Sequence, residues 1–188
     1  GIFQQCRNAL REAGFPLPSA HMAATGGTFL HRAPGCTMVR IGLGLYGYLP
    51  NGRRSALGPV ATWKTLVGEL KTVAKGERVG YDLTERLRRK TTMAILPIGY
   101  WHGFDRGLSS IGEVLIRGRR AKVLGRVSMD MTVVDVTGIP GVRIGAEAVL
   151  IGRQGKELIG ADEEAKKIGT TAYEILTRMN PLIRRITR

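Results

Sequence analysis

One stretch constrains the rest of the chain more than any other: Met38 to Pro50, MVRIGLGLYGYLP. It opens like a buried parallel strand, with Met38 and Val39 leading into Ile41, Leu43 and Leu45, yet an arginine sits in the middle of it. A charge is almost never fully buried without a partner, so Arg40 is expected either in an ion pair or aimed at a bound group that wants a fixed cation. Gly42 and Gly44 follow at once and allow a ligand or another backbone to come close.

The segment before it supplies a partner strand. Leu17 to Thr25 reads as a short strand ending in Gly26 and Gly27, followed by a brief helix that ends before Pro34. Strand, helix and a second strand at Met38 make a βαβ unit, the building block of a parallel sheet or barrel. Thr25 with two glycines at a strand end and helix start offers a hydroxyl and accessible amides to an anion. Upstream, Phe3, Cys6, Leu10 and Ala13 recur at helical spacing with no capping residue before Ile2, which suggests that a preceding domain lies outside the chain.

The pattern changes after a polar linker at Asn51 to Gly58. Thr62 to Ala74 reads as one long strand. Val79 to Tyr81, Met93 to Ile98, Glu113 to Ile116, Ala121 to Val136 and Ala148 to Ile151 follow at short spacing, several separated by glycine turns, as in a mainly β domain. Ala161 to Ile168 and Ala172 to Met179 are helical in pattern, the first with Asp162, Glu163 and Glu164 in its opening turn, where negative charge suits the helix dipole.

Charge bears on the choice of partner. A balance of 29 Lys and Arg against 15 Asp and Glu invites a nucleic-acid reading. The distribution argues against it, because the basic clusters at Arg86 to Lys90, Arg117 to Lys122 and Arg184 to Arg188 are scattered, and the 11 aromatic residues do not interleave with them as stacking platforms. Cys6 and Cys36 form neither a disulfide framework nor a metal spacing and are read as reduced and intracellular; no metal site is expected. No apolar run approaches the roughly 18 residues of a membrane span.

Six segments in order, HMAATGGTF, VRIGLGLYG, KGERVGYDLT, LPIGYWHGFDRGLS, GRVSMDMTVVDV and GTTAYEILTRM, together resemble the pyridoxal-phosphate-dependent alanine racemases. The resemblance runs from the helix before His21 to Arg185. It implies an α/β plus mainly β fold in which residues 1–56 are the last segments of a (β/α)8 barrel and residues 57–188 are the C-terminal β domain. It also implies interconversion of L- and D-alanine with pyridoxal 5'-phosphate, supplying D-alanine for peptidoglycan, in a cytoplasmic homodimer with shared active sites and no nucleic-acid or membrane partner.

The site residues follow from the same resemblance. Thr25, the amides of Gly42 and Leu43 and the phenol of Tyr173 would hold the cofactor phosphate, a placement that suits the loops after the last strands of a barrel. Arg40 would face the pyridine nitrogen, where an always-protonated guanidinium donates a hydrogen bond without giving up its proton, and His21 would orient it. Tyr81 matches the tyrosine that moves a proton at the α-carbon. A free phenol ionises near pH 10, so it needs positive charge nearby, for which Arg40 acting through a histidine is the expected source.

Met129 matches the residue whose backbone amide binds the substrate carboxylate, and Tyr100 and Asp130 match residues that narrow the access corridor. The chain departs from the usual pattern at Ala24, at Trp101, His102 and Phe104, at Ser128 and Met131, and at Asp82, which stands where a glycine is frequent. Lys64, Lys71 and Lys75 belong to the β domain and do not match the cofactor lysine, so the chain alone is expected to be inactive. A broad-specificity racemase of the same fold and a non-catalytic β-domain module are the competing readings.

Overall fold

The computed structural model describes residues 1–30, 35–50 and 57–187. The chain divides into two compact units, Gly1–Val60 and Ala61–Arg188. The residues expected to form the linker fall mostly in 51–56, outside the described residues, as does the end of the helix expected before Pro34.

The first unit holds α1 (Ile2–Glu12) and α2 (Thr25–Leu30). The N-cap of α1 is Gly1, with no side-chain cap, as the sequence pattern implied. The two strands expected around α2 contract to one isolated parallel bridge between Ala24 and Arg40. Arg40 donates its amide to the Ala23 carbonyl and Thr37 to that of Ala20, each at 2.9 Å. Gly42 then turns the chain into a short 3₁₀ helix at Leu43–Tyr46 instead of a continuing strand. The reading of Met38 to Leu45 as a buried strand is corrected accordingly: Met38 and Val39 are each 44% exposed and Leu45 is 67% exposed. Because the chain leaves extended geometry at Gly42, its apolar side chains do not line up on one strand face, and within Met38 to Pro50 Leu43, Tyr48 and Leu49 are the apolar residues that are buried.

The second unit is built on β1 (Trp63–Leu66), β2 (Glu69–Val73), β3 (Arg78–Val79), β4 (Glu85–Arg86), β5 (Thr91–Leu96), β6 (Glu113–Ile116), β7 (Arg119–Lys122), β8 (Thr132–Asp135), β9 (Glu147–Gln154) and β10 (Glu157–Ile159), followed by α3 (Ala161–Lys167) and α4 (Ala172–Thr177). One sheet runs β1-β9-β6-β7 with β10 added to β9, a second runs β2-β5-β8, and β3 pairs β4; every pairing is antiparallel. Ala148 to Ile151 are fully buried, as a central strand with neighbours on both sides requires.

The long strand expected over Thr62 to Ala74 is two strands in two sheets. Val67 exchanges bonds with the 145–146 turn beside β9, whereas Gly68 donates to Ile95 of β5 at 2.9 Å, so the chain changes sheets between them. The run expected over Ala121 to Val136 is likewise divided into β7 and β8, with the loop 123–131 between them. A bridge between Val123 and Val134 joins the sheets again at that corner.

The core lies between the sheets and under α3, with Leu96, Phe104, Leu108, Leu115, Leu150 and Ile159 at zero exposure. Helix α3 is tied down by charge. Arg120 of β7 reaches Glu163 at 2.6 Å, Glu157 at 2.9 Å and Glu113 at 3.0 Å, and Lys167 closes the network onto Glu113 and Glu163. The Arg120 guanidinium holds the Glu163 carboxyl below its ordinary range. Burial pushes the Glu113 carboxyl up, but the hydrogen bonds from Lys167 and Arg120 outweigh it and the net shift is downward.

Glu164 is the exception on this helix. It is 1% exposed, its Oε1 has no hydrogen-bond partner among the described residues, and burial pushes its carboxyl up to about 8. Below the ordinary value of 4.5 both folded and unfolded chains hold the proton. Between 4.5 and about 8 the unfolded chain releases it while the folded chain keeps it, so stability falls as pH rises and the loss is complete above about 8. The expected outcome for Glu164→Gln is a melting-temperature advantage over the parent that grows from pH 5 to pH 8 and then levels. A difference that stays constant across that range would show that this carboxyl does not titrate on unfolding.

Candidate active site

In the first unit the Ala24–Arg40 bridge sets Thr25 opposite the glycine-rich turn. Thr25 is 1% exposed, and its Oγ1 accepts from the Gly42 amide at 3.3 Å and the Gly44 amide at 3.2 Å. A methyl group at Gly44 would lie 2.9 Å from Ile41 Cγ2 and 3.0 Å from Thr25 Cγ2, so this face of the turn is filled. At Gly42 it would meet nothing within 4 Å. The Thr25 hydroxyl thus engages two amides of the turn while its own proton remains available to donate, and the Gly42 side stays open; a phosphate fits there by accepting from that hydroxyl and from amides it draws off Thr25. The Leu43 amide opens the 3₁₀ helix and donates to no other backbone group among the described residues.

Arg40 is exposed, and no ion pair engages it among the described residues, which removes the expectation of a salt-bridged or buried cation within this unit. The bridge to Ala24 fixes its backbone position. His21 is also exposed, and no hydrogen bond joins it to Arg40.

The second unit carries an open cleft of about 840 Å³ that gathers Tyr81, Tyr100, Met129 and Asp130. Close backbone contact places them. At Gly99 a methyl group would sit 2.1 Å from the Ser128 carbonyl oxygen, and the Tyr100 and Trp101 amides donate to the carbonyls of Ser128 and Met129 at 3.0 and 2.9 Å. The loop bearing Tyr100 is thereby pinned to the loop bearing Met129. The Met129 carbonyl is used in that contact, while its amide donates to no acceptor among the described residues and is free to bind an anion. Tyr81 lies on a 3₁₀ turn at Tyr81–Leu83, just after the end of β3 at Val79 rather than within a strand.

Sequence reasoning missed the arginines. Arg106, Arg126 and Arg178 all line this cleft, with Asp105 beside them. Arg178 pairs with Asp105 at 2.6 Å and with Glu174 at 2.5 Å, and Arg126 pairs with Asp82. Each arginine stands inside a quoted segment, LPIGYWHGFDRGLS, GRVSMDMTVVDV or GTTAYEILTRM. Only that proximity to the other site residues could have drawn attention to them. Tyr173 sits on α4, 43% exposed, and its carbonyl accepts from Thr177 Oγ1 at 2.8 Å. No cluster of three or more His, Cys, Asp or Glu able to hold a metal ion occurs among the described residues, and no helix there is long and apolar enough to cross a membrane.

Comparison with known proteins identifies the family of both units. The family profile described as alanine racemase, C-terminal domain, matches residues 60–187, and the one described as alanine racemase, N-terminal domain, matches residues 1–50. An alanine racemase of Methylacidiphilum infernorum is 40% identical over 173 residues, covering 92% of this chain and 44% of the relative. One from Halothermothrix orenii is 41% identical over 177 residues, covering 93% and 47%. The chain thus spans about half the length of the curated relatives it matches.

Among solved structures, Bacillus anthracis alanine racemase with bound L-Ala-P superimposes with a TM-score of 0.85 at 35% identity, over 95% of this chain and 47% of that one. Bartonella henselae alanine racemase with covalently bound pyridoxal phosphate gives 0.82 at 30% identity, over 97% and 51%.

The Gly99 contact yields a direct test. Gly99→Ala is expected to destabilise the second unit by about 2 kcal/mol or more, since a backbone-to-backbone overlap cannot be relieved by a side-chain rotation. A melting temperature equal to that of the parent would show that the 99–101 and 128–129 loops are not held in contact.

Proposed function

The chain belongs to the alanine racemase family, and on that premise we propose that it carries part of the active site of an enzyme that interconverts L- and D-alanine with pyridoxal 5'-phosphate. The observation that supports this most directly is the cleft of the second unit, where a tyrosine, an unengaged backbone amide, a second tyrosine and a carboxylate converge. Residues 1–56 are read as the last segments of the cofactor barrel and residues 57–188 as the C-terminal β domain.

When bound, the cofactor supplies the electron sink that makes the α-proton removable. The roles proposed for this chain follow from its own groups. Thr25, with the amides of Gly42 and Leu43 and the phenol of Tyr173, holds the phosphate. Arg40, without an ion pair among the described residues, is available to hydrogen-bond the pyridine nitrogen without protonating it, which suppresses side reactions such as transamination; His21 orients it. Tyr81 holds or moves a proton at one face of the α-carbon. The Met129 amide binds the substrate carboxylate, and Tyr100 and Asp130 narrow the approach. A homodimer with shared sites, a cytoplasmic location and supply of D-alanine for peptidoglycan complete the reading.

None of Lys64, Lys71 and Lys75 matches the cofactor lysine, and Lys64 is paired with Glu147 at 2.9 Å. The 188-residue chain by itself is therefore expected to bind the cofactor weakly and leave alanine unchanged. Joined to the preceding half of its Halothermothrix orenii relative, it is expected to give a yellow protein that racemises alanine. In that holoenzyme Tyr81→Phe should lower the rate in both directions by about 10²- to 10⁴-fold, the contribution of a placed proton-transfer group. Undiminished activity in Tyr81→Phe would remove Tyr81 from the mechanism, and racemisation by the isolated chain would overturn the reading of its lysines.

A further inference from the structure

Tyr81 is 69% exposed, and no hydrogen bond engages its phenol among the described residues. Packing therefore does not fix its side chain. The backbone that presents it is unusual: Asp82 at φ 57° and Leu83 at φ 50° are consecutive non-glycine residues in the left-handed region. That region is sterically unfavourable for L residues, more so for leucine than for aspartate, and such conformations persist where the surroundings over-determine them.

Two arginines do so here. Arg78 Nη1 donates to the Leu83 carbonyl at 3.0 Å, and Arg126 pairs with the Asp82 carboxylate. Beneath the turn, backbone lies on backbone: a methyl group at Gly80 would be 3.3 Å from Gly125 Cα and 3.4 Å from the Arg126 amide nitrogen. Arg126 itself lines the cleft with Tyr81 and Met129. The ion pair thus joins the turn that bears Tyr81 to the loop that leads to the substrate-binding amide, across 44 residues of sequence.

We propose that Asp82 is a positioning residue of this site: its pair with Arg126 clips a strained turn shut, and so fixes Tyr81 over the cleft while holding the Arg126 guanidinium along the wall. The inference rests on the racemase reading for its catalytic consequence and on the geometry alone for the clip. Both side chains are well exposed, 40% for Arg126 and 56% for Asp82, so the pair adds little to global stability. Proton transfer, by contrast, depends steeply on the placement of the transferring group. A role in positioning therefore separates kcat from both KM and the melting temperature.

Asp82→Asn isolates the ion pair, because asparagine tolerates the left-handed region as well as aspartate does. In the 188-residue chain, amide hydrogen exchange at residues 81–84 should quicken by roughly tenfold in this variant, with the melting temperature within about 2 °C of the parent. In the joined holoenzyme, kcat for alanine should fall on the order of 10- to 100-fold in both directions, with KM changed by less than about threefold. Unaltered exchange in Asp82→Asn would overturn the clip. Faster exchange with kcat intact would overturn the positioning role. A parent holoenzyme that fails to racemise alanine would instead sink the racemase reading and the catalytic half of this proposal with it, and the exchange measurement would still decide the clip.

Discussion

The cleft of the second unit depends on backbone lying directly against backbone. Gly99 on the Ser128 carbonyl, Gly80 on Gly125 and Gly103 on the Arg178 carbonyl are three such contacts, and at each a methyl group would come within 3.3 Å of another main-chain atom. They bring the Tyr81 turn, the Tyr100 loop, the Met129 loop and the segment after α4 together without intervening side chains. Long side chains then become available for the cleft instead of being spent on holding the loops. Asn180 extends the arrangement at the rim, where its amide donates to the His102 carbonyl at 3.1 Å and its side chain to that of Trp101 at 3.0 Å.

Much of this was legible in the sequence, for reasons that differ by element. Glu113 to Ile116 and Ala161 to Ile168 come out where their patterns place them, because an apolar strand between glycine turns and a helix with an acidic first turn are local signals. Thr62 to Ala74 does not. The apolar residues run on past Val67 and Gly68, and nothing local marks the point where one strand's partners give way to another's. The buried strand expected over Met38 to Leu45 was misread for a related reason: an apolar run in sequence is not buried unless a second layer covers it. The family resemblance carried Tyr81, Tyr100, Met129 and Asp130 to one cleft, which spacing alone could not have done. It carried no information on the ion pairs, since Asp82 and Arg126 stand 44 residues apart and Asp105 and Arg178 stand 73 apart.

Those ion pairs decide the charge that the cleft presents. With three guanidiniums and two aspartates lining it, the wall reads as cationic by composition. Asp82 neutralises Arg126 from outside the lining, and Asp105 with Glu174 neutralises Arg178. Among the described residues Arg106 and Asp130 then remain without an ion pair, one of each sign. An unpaired cation and an unpaired anion on one wall attract opposite ends of a zwitterion, whereas a cleft with all three arginines free would favour anions generally. Aspartate at position 82 therefore bears on the charge of the cleft as well as on the shape of the turn: it takes a positive charge out of play on the wall that Tyr81 also lines.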